Sequence, residues 1–190
     1  MNRKLRATAA CLLYLCGHGG AFALPDPFTE ERARYREAVD ALEHGRVERF
    51  QQLSATLRDY PLHPYLENRR LRRRLAQADD AEVAAFLEQQ AGTPLADRLY
   101  DDWLEYLGRS RQWQRFERFY SGDGDAELRC YHLRATRNTG ERKAWLDQAL
   151  ALWTVGHSQP DACDPVFEVL YDSPRIDNAA LWERISLAMA

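Results

Sequence analysis

Residues 94–120 read PLADRLYDDWLEYLGRSRQWQRFERFY, and two apolar stripes run through them. Leu95, Leu99, Trp103 and Tyr106 recur at steps of three and four, which is the period of one face of an α-helix. Past Gly108 the pattern restarts with Trp113, Phe116 and Tyr120. The stretch therefore predicts helices near 95–107 and 110–120. With so short a connection, the two pack antiparallel as a hairpin.

Working outward, the same grammar covers the chain from residue 24 onward. This part holds 21 Leu and 21 Ala against six Val and two Ile, a composition that favours helix over strand. Its glycines (45, 92, 108, 122, 124, 140, 156) and the eight prolines fall between periodic runs, as helix ends require. About ten helices result, near 28–44, 46–59, 65–77, 79–91, 95–107, 110–120, 125–138, 141–155, 163–172 and 177–189. Asp79 and Asp125 stand where N-caps belong. The second helices of successive pairs begin near 46, 79, 110 and 141. Three of them open with an apolar pair: Val47/Phe50, Val83/Phe86 and Trp113/Phe116. A period just over 30 residues built from two helices marks a solenoid. The predicted fold is all-α, a right-handed superhelix of about five hairpins resembling tetratricopeptide arrays. The last segment, with Leu181, Ile185 and Met189 in register, carries no stop signal, so the 190 residues are expected to be the front of a longer polypeptide.

The N-terminus reads differently. Arg3, Lys4 and Arg6 precede an apolar run from Ala7 to Cys16, and Ala21-Phe22-Ala23 follows a glycine-rich break. That is the grammar of a cleavable secretory signal over residues 1–23. The run is too short for a membrane-spanning helix, which needs about 20 residues, so no stable membrane insertion is expected. Leu15 is too bulky to precede a lipid-bearing Cys16. The fold is assigned to 24–190, after export.

Without the signal, the 26 basic residues fall to 23 against 29 acids, a formal charge of −6 that argues against nucleic acid as a partner. At 45% hydrophobic and 29% charged, with a mean hydropathy of −0.59, the chain is neither a multi-span membrane protein nor a disordered tail. Two cysteines remain, Cys130 and Cys163. In an oxidising compartment an even pair favours a disulfide. Two buried free thiols are the alternative, because sequence alone does not bring their Cα atoms within reach.

Reactive constellations are scarce. The histidines (18, 44, 63, 132, 157) are scattered, and no HExxH, CxxC, GxSxG or phosphate-binding glycine loop occurs. Cys130 and His132, two apart on a helix, point to different sides and make a poor metal site. No catalytic residue, metal ligand or cofactor site is assigned. The densest charge run, Arg69-Arg70-Leu71-Arg72-Arg73-Arg74, is read as solvated surface paired to Asp79, Asp80 and Glu82. The alternative is a patch for an acidic partner or glycan carboxylates. Trp103, Trp113, Trp145, Trp153 and Trp182 are read as core in preference to sugar-stacking platforms.

Several strings resemble the N-terminal superhelical domain of the soluble lytic murein transglycosylases: Tyr60-Pro-Leu-His-Pro-Tyr-Leu66, Thr93-Pro-Leu-Ala-Asp-Arg98, Glu127-Leu-Arg-Cys130, Gly156-His-Ser-Gln-Pro-Asp-Ala-Cys-Asp-Pro165 and Phe167-Glu-Val-Leu170. The resemblance implies a Cys130–Cys163 bridge and a periplasmic location. It also implies a ring of solenoid, linker and lysozyme-like domains, the last cleaving the MurNAc–GlcNAc β-1,4 bond to 1,6-anhydro-muramyl ends. The glutamate that does this sits in a Glu-Ser motif followed by a Gly-Leu-Met-Gln run, which this sequence lacks. The expected role is therefore to shape the ring and guide peptidoglycan glycan strands beside a C-terminal catalytic domain missing here, with the chain alone inactive. The competing reading is a stand-alone periplasmic scaffold for a protein partner.

Overall fold

The structure, a computed structural model, describes residues 27–190; the expected signal segment 1–23 lies outside them. Ten α-helices follow one another: α1 Thr29–Glu43, α2 Val47–Ala55, α3 His63–Arg73, α4 Asp80–Gln89, α5 Pro94–Arg109, α6 Trp113–Phe119, α7 Ala126–Thr136, α8 Arg142–Trp153, α9 Asp164–Tyr171 and α10 Asn178–Ala188. Short 3-10 turns precede α4 (Leu75–Gln77) and α9 (Asp161–Cys163), and no strand occurs among the described residues.

The odd helices form a continuous row, α1 on α3 on α5 on α7 on α9. The even helices cover it: α2 lies on α1, α4 and α6 lie on α5, and α8 lies on α7 and α9. This is the stacked, superhelical all-α arrangement that the repeat spacing predicts. One pairing departs from simple hairpins, since α4 leaves α3 through the 3-10 turn and packs on α5.

Sequence signals account for most helix ends. The side chains of Asp79, Thr93, Asp125 and Asp177 accept hydrogen bonds from first-turn amides, satisfying donors with no partner within the helix. Pro64, Pro94 and Pro165 sit in first turns, where a missing N–H costs nothing. Helix α2 stops at Ala55, short of the expected 59. The amides of Thr56 and Leu57 bond back three residues, to Leu53 and Ser54, and Pro61 disfavours helix at Tyr60. The tightened turn swings Leu57 and Tyr60 into the core.

Gly108 corrects the reading of glycine as punctuation. It lies inside α5, buried, and a Cβ there would overlap the Tyr131 ring of α7. The residue that closes α5 in the left-handed region is Arg111, φ 56°. Its turn matches the one at Gly45 between α1 and α2. In each, paired bonds run back to the last helical turn: Arg46 to Ala41 and Gly45 to Leu42, then Gln112 to Leu107 and Arg111 to Gly108. Because L-residues resist this conformation, Arg111→Gly is expected to raise stability by up to about 1 kcal/mol. The thermal midpoint checks it; an unchanged or lower value would show that the arginine contributes more than its strain costs.

The apolar interior divides in two. A large core runs from Leu71 to Ala180 around fully buried Leu99, Trp103, Leu104, Leu107 and Phe116. A smaller one gathers Ala38, Ala41, Phe50, Leu53, Leu57, Tyr60 and Leu66 from α1, α2, the α2–α3 turn and the first half of α3. Where α3 meets α5, buried Asn68 donates to the Leu95 carbonyl at 3.0 Å, and Arg72 pairs with Asp102. Trp145 and Trp153 are buried, donating to the Leu133 carbonyl and the Tyr171 hydroxyl, and Trp113 is half-buried. Only Trp182, on α10, is largely exposed among the five tryptophans.

Cys130 on α7 and Cys163 at the head of α9 are joined by a disulfide, with Cα atoms 5.0 Å apart. His132 is engaged elsewhere, within 2.8 Å of Glu117 and stacked on Tyr120.

Candidate functional site

A cleft of about 560 Å³ opens between α2 and α3 beside the turn at Gly45. That volume is ordinary for a small-ligand site. Leu42, Val47, Phe50 and Ala55 give it apolar lining, and Arg58, Arg70, Arg73, Arg74 and Glu67 give it charged lining.

Its floor is polar and connected. Buried Ser54 donates from Oγ to Glu67 Oε1 at 3.2 Å and lies 3.2 Å from His63 Nε2. The same nitrogen is 3.9 Å from Glu67 Oε1. A serine, a histidine and a carboxylate in one place invite comparison with a hydrolytic triad, but the hydrogen bonds run the wrong way. Nucleophile activation requires the histidine to accept the hydroxyl proton through one nitrogen while the carboxylate orients the other. Here the hydroxyl and the carboxylate both face the same histidine nitrogen, Nε2, at 3.2 and 3.9 Å, so this carboxylate does not orient the other nitrogen. The arrangement is a hydrogen-bonded network that ties α2 to α3. Sequence motifs could not show it, because its members lie 9 and 13 residues apart on two helices.

The arginines of the 69–74 run have separate partners. Glu67 and Glu82 both hold Arg70, at 2.8 and 2.7 Å, and Glu82 also approaches Arg74 at 3.6 Å. Burial opposes the Arg70 charge most strongly, yet the bonds to Glu82 and Glu67 outweigh it and raise its pKa. Arg69 lies 3.5 Å from Glu43, and Arg72 pairs with Asp102. Pairing with Glu82 is thus as expected from sequence, while Asp79 and Asp80 are engaged elsewhere. Asp79 caps α4, and Asp80 takes Arg115 and Arg118 from α6. Two cleft arginines have no carboxylate partner among the described residues. Arg73 reaches only the Glu43 carbonyl, at 3.3 Å, and Arg58 stands exposed at the rim.

A surface of opposite sign lies along α5. The Asp101 carboxyl is held above its usual pKa by burial first and then by Asp125, Asp102 and Asp97; burial likewise dominates at Glu105. No group of metal-ligating side chains, and no helix long and apolar enough to cross a membrane, occurs among the described residues.

No protein-family model matches the chain. Curated relatives do. The chain is 33% identical over 187 residues, 98% of its length, to the soluble lytic murein transglycosylases of Salmonella typhimurium and Escherichia coli K12, and it spans 28% of their length. Among solved structures, the 70-kDa soluble lytic transglycosylase of Escherichia coli superimposes with a TM-score of 0.77 at 34% identity, covering 86% of this chain and 27% of that one. The lytic transglycosylase Slt of Pseudomonas aeruginosa, solved as an inactive mutant, gives 0.72 at 31% identity, covering 82% of this chain and 25% of that one. Agreement in sequence and in helix arrangement along most of the chain makes it a homologue of one part of the soluble lytic murein transglycosylases.

Proposed function

We propose that this chain is the N-terminal superhelical part of a lytic murein transglycosylase. It shapes the enzyme's ring and guides peptidoglycan glycan strands toward a catalytic domain carried by further polypeptide. In this reading residues 1–23 are a cleaved export signal, the protein works in the periplasm, and its helical pairs are of the tetratricopeptide type. The observation that carries the proposal is the match along 98% of this chain to only 28% of the relatives. The apolar side of α10 supports it, since Leu181, Trp182, Ile185 and Met189 are all exposed, as they would be where a further unit stacks.

Purified protein incubated with murein sacculi is the test. The chain is expected to sediment with the sacculi and to release no anhydro-muropeptides. Anhydro-muropeptides above a blank would overturn the non-catalytic role. Failure to sediment would remove the glycan-guiding role and favour a scaffold that binds a protein partner.

A further inference from the structure

The cleft between α2 and α3 combines an apolar wall with more positive charge than its own carboxylates neutralise. Glu67 and Glu82 hold Arg70 and Arg74, which leaves Arg58 and Arg73 without a carboxylate among the described residues. They come from different elements, the α2–α3 turn and the last turn of α3, yet line one opening. Guanidinium forks suit carboxylates in bidentate geometry. Val47 lines the same cleft and is 61% exposed although it is apolar, and Leu42 and Phe50 line it too. A site so built suits a ligand that bears a free carboxylate next to a small apolar group.

We propose that this cleft binds the free carboxylate end of a murein stem peptide, with Arg58 and Arg73 taking the carboxylate and Leu42, Val47 and Phe50 receiving the adjoining methyl-bearing residue. The proposal rests on the murein-directed reading above and gives it a second point of contact, directed at peptide and not at sugar. In murein the backbone sugars are neutral once the lactyl group is amide-linked, and the negative charge resides on the stem peptides. An arginine-lined cleft therefore selects the peptide.

Calorimetric titration of the mature protein with disaccharide-tetrapeptide tests this. The comparison ligands are the same muropeptide amidated at its carboxylates and the peptide-free disaccharide. The free-carboxylate form is expected to bind at least about tenfold more tightly than either, as expected when charge-assisted hydrogen bonds are lost. The double variant Arg58→Gln/Arg73→Gln should lose a similar factor. The charge-matched variant Arg98→Gln/Arg137→Gln, away from the cleft, should bind as the parent does. Equal binding of amidated and free muropeptide, an unaffected cleft variant, or no binding at all overturns the proposal. Sedimentation with sacculi is scored separately. If sacculi are retained while no muropeptide titrates, the cleft assignment fails and the solenoid reading stands. If muropeptide titrates but sacculi are not retained, the cleft stands and that reading fails.

Discussion

Replacing Cys130 and Cys163 by serine is expected to lower the unfolding free energy of the mature protein by about 3–4 kcal/mol, from the loop the bridge closes. The pair is separated by 33 residues and ties α7 to the head of α9. Both sulfurs lie in the large core, with no exposed surface on either cysteine. The α8 helix lies inside the closed loop, so losing the bridge frees a whole helix and its turns in the unfolded chain. Chemical denaturation of the double variant measures the effect. In the parent, thiol reagent added after denaturation should find nothing to label. Uptake of two equivalents, or a double variant as stable as the parent, would remove the bridge from the account of this fold.

Trp103→Ala should cost about as much or more, roughly 3–5 kcal/mol, by the combined loss of burial and the cavity left behind. Trp103 is fully buried on α5, with Tyr106 stacked 5.7 Å away, Phe119 edge-on at 5.9 Å and the Arg115 guanidinium 4.9 Å above its ring. It thus joins α5 to α6 and supports the arginine that holds Asp80 at the start of α4. Its indole nitrogen finds no acceptor among the described residues. Trp103→Phe therefore breaks no hydrogen bond and should cost much less than Trp103→Ala, which distinguishes ring packing from a polar role. Thermal and denaturant midpoints of the two variants read this directly. Equal losses would show that the indole edge matters after all.

The helices were largely legible because their apolar residues recur at helical spacing whether or not the partner helix is known. Trp113 and Phe116 announce α6 by themselves, as Asp79 and Asp125 announce the starts of α4 and α7. Gly108 reads as a helix stop in the sequence because its role depends on a distant neighbour. Only the approach of Tyr131 distinguishes a packing glycine from a stop, and the left-handed turn falls instead to Arg111. The extent of α2 was misread for a similar reason, since the turn after Ala55 is drawn inward by the burial of Leu57 and Tyr60.

The cleft could not be read at all. Ser54, His63 and Glu67 are unremarkable along the chain and converge only when α2 meets α3. The arginine run drew attention, but its partners were assigned by proximity in sequence. The folded chain assigns Asp80 to Arg115 and Arg118, 35 and 38 residues away, and leaves Arg73 without a carboxylate among the described residues. Charge pairing across a solenoid is decided by which helices stack, and a linear scan does not contain that information.

The division of the interior into two apolar centres has a further consequence. Opening free energy need not be uniform along such a stack. The small centre holds together α1, α2 and the first half of α3, while the disulfide fastens the opposite end. The cleft therefore belongs to the segment held by the smaller of the two centres. A molecule seated between α2 and α3 would act there as a removable piece of that core, so recognition at this end of the protein is also reinforcement.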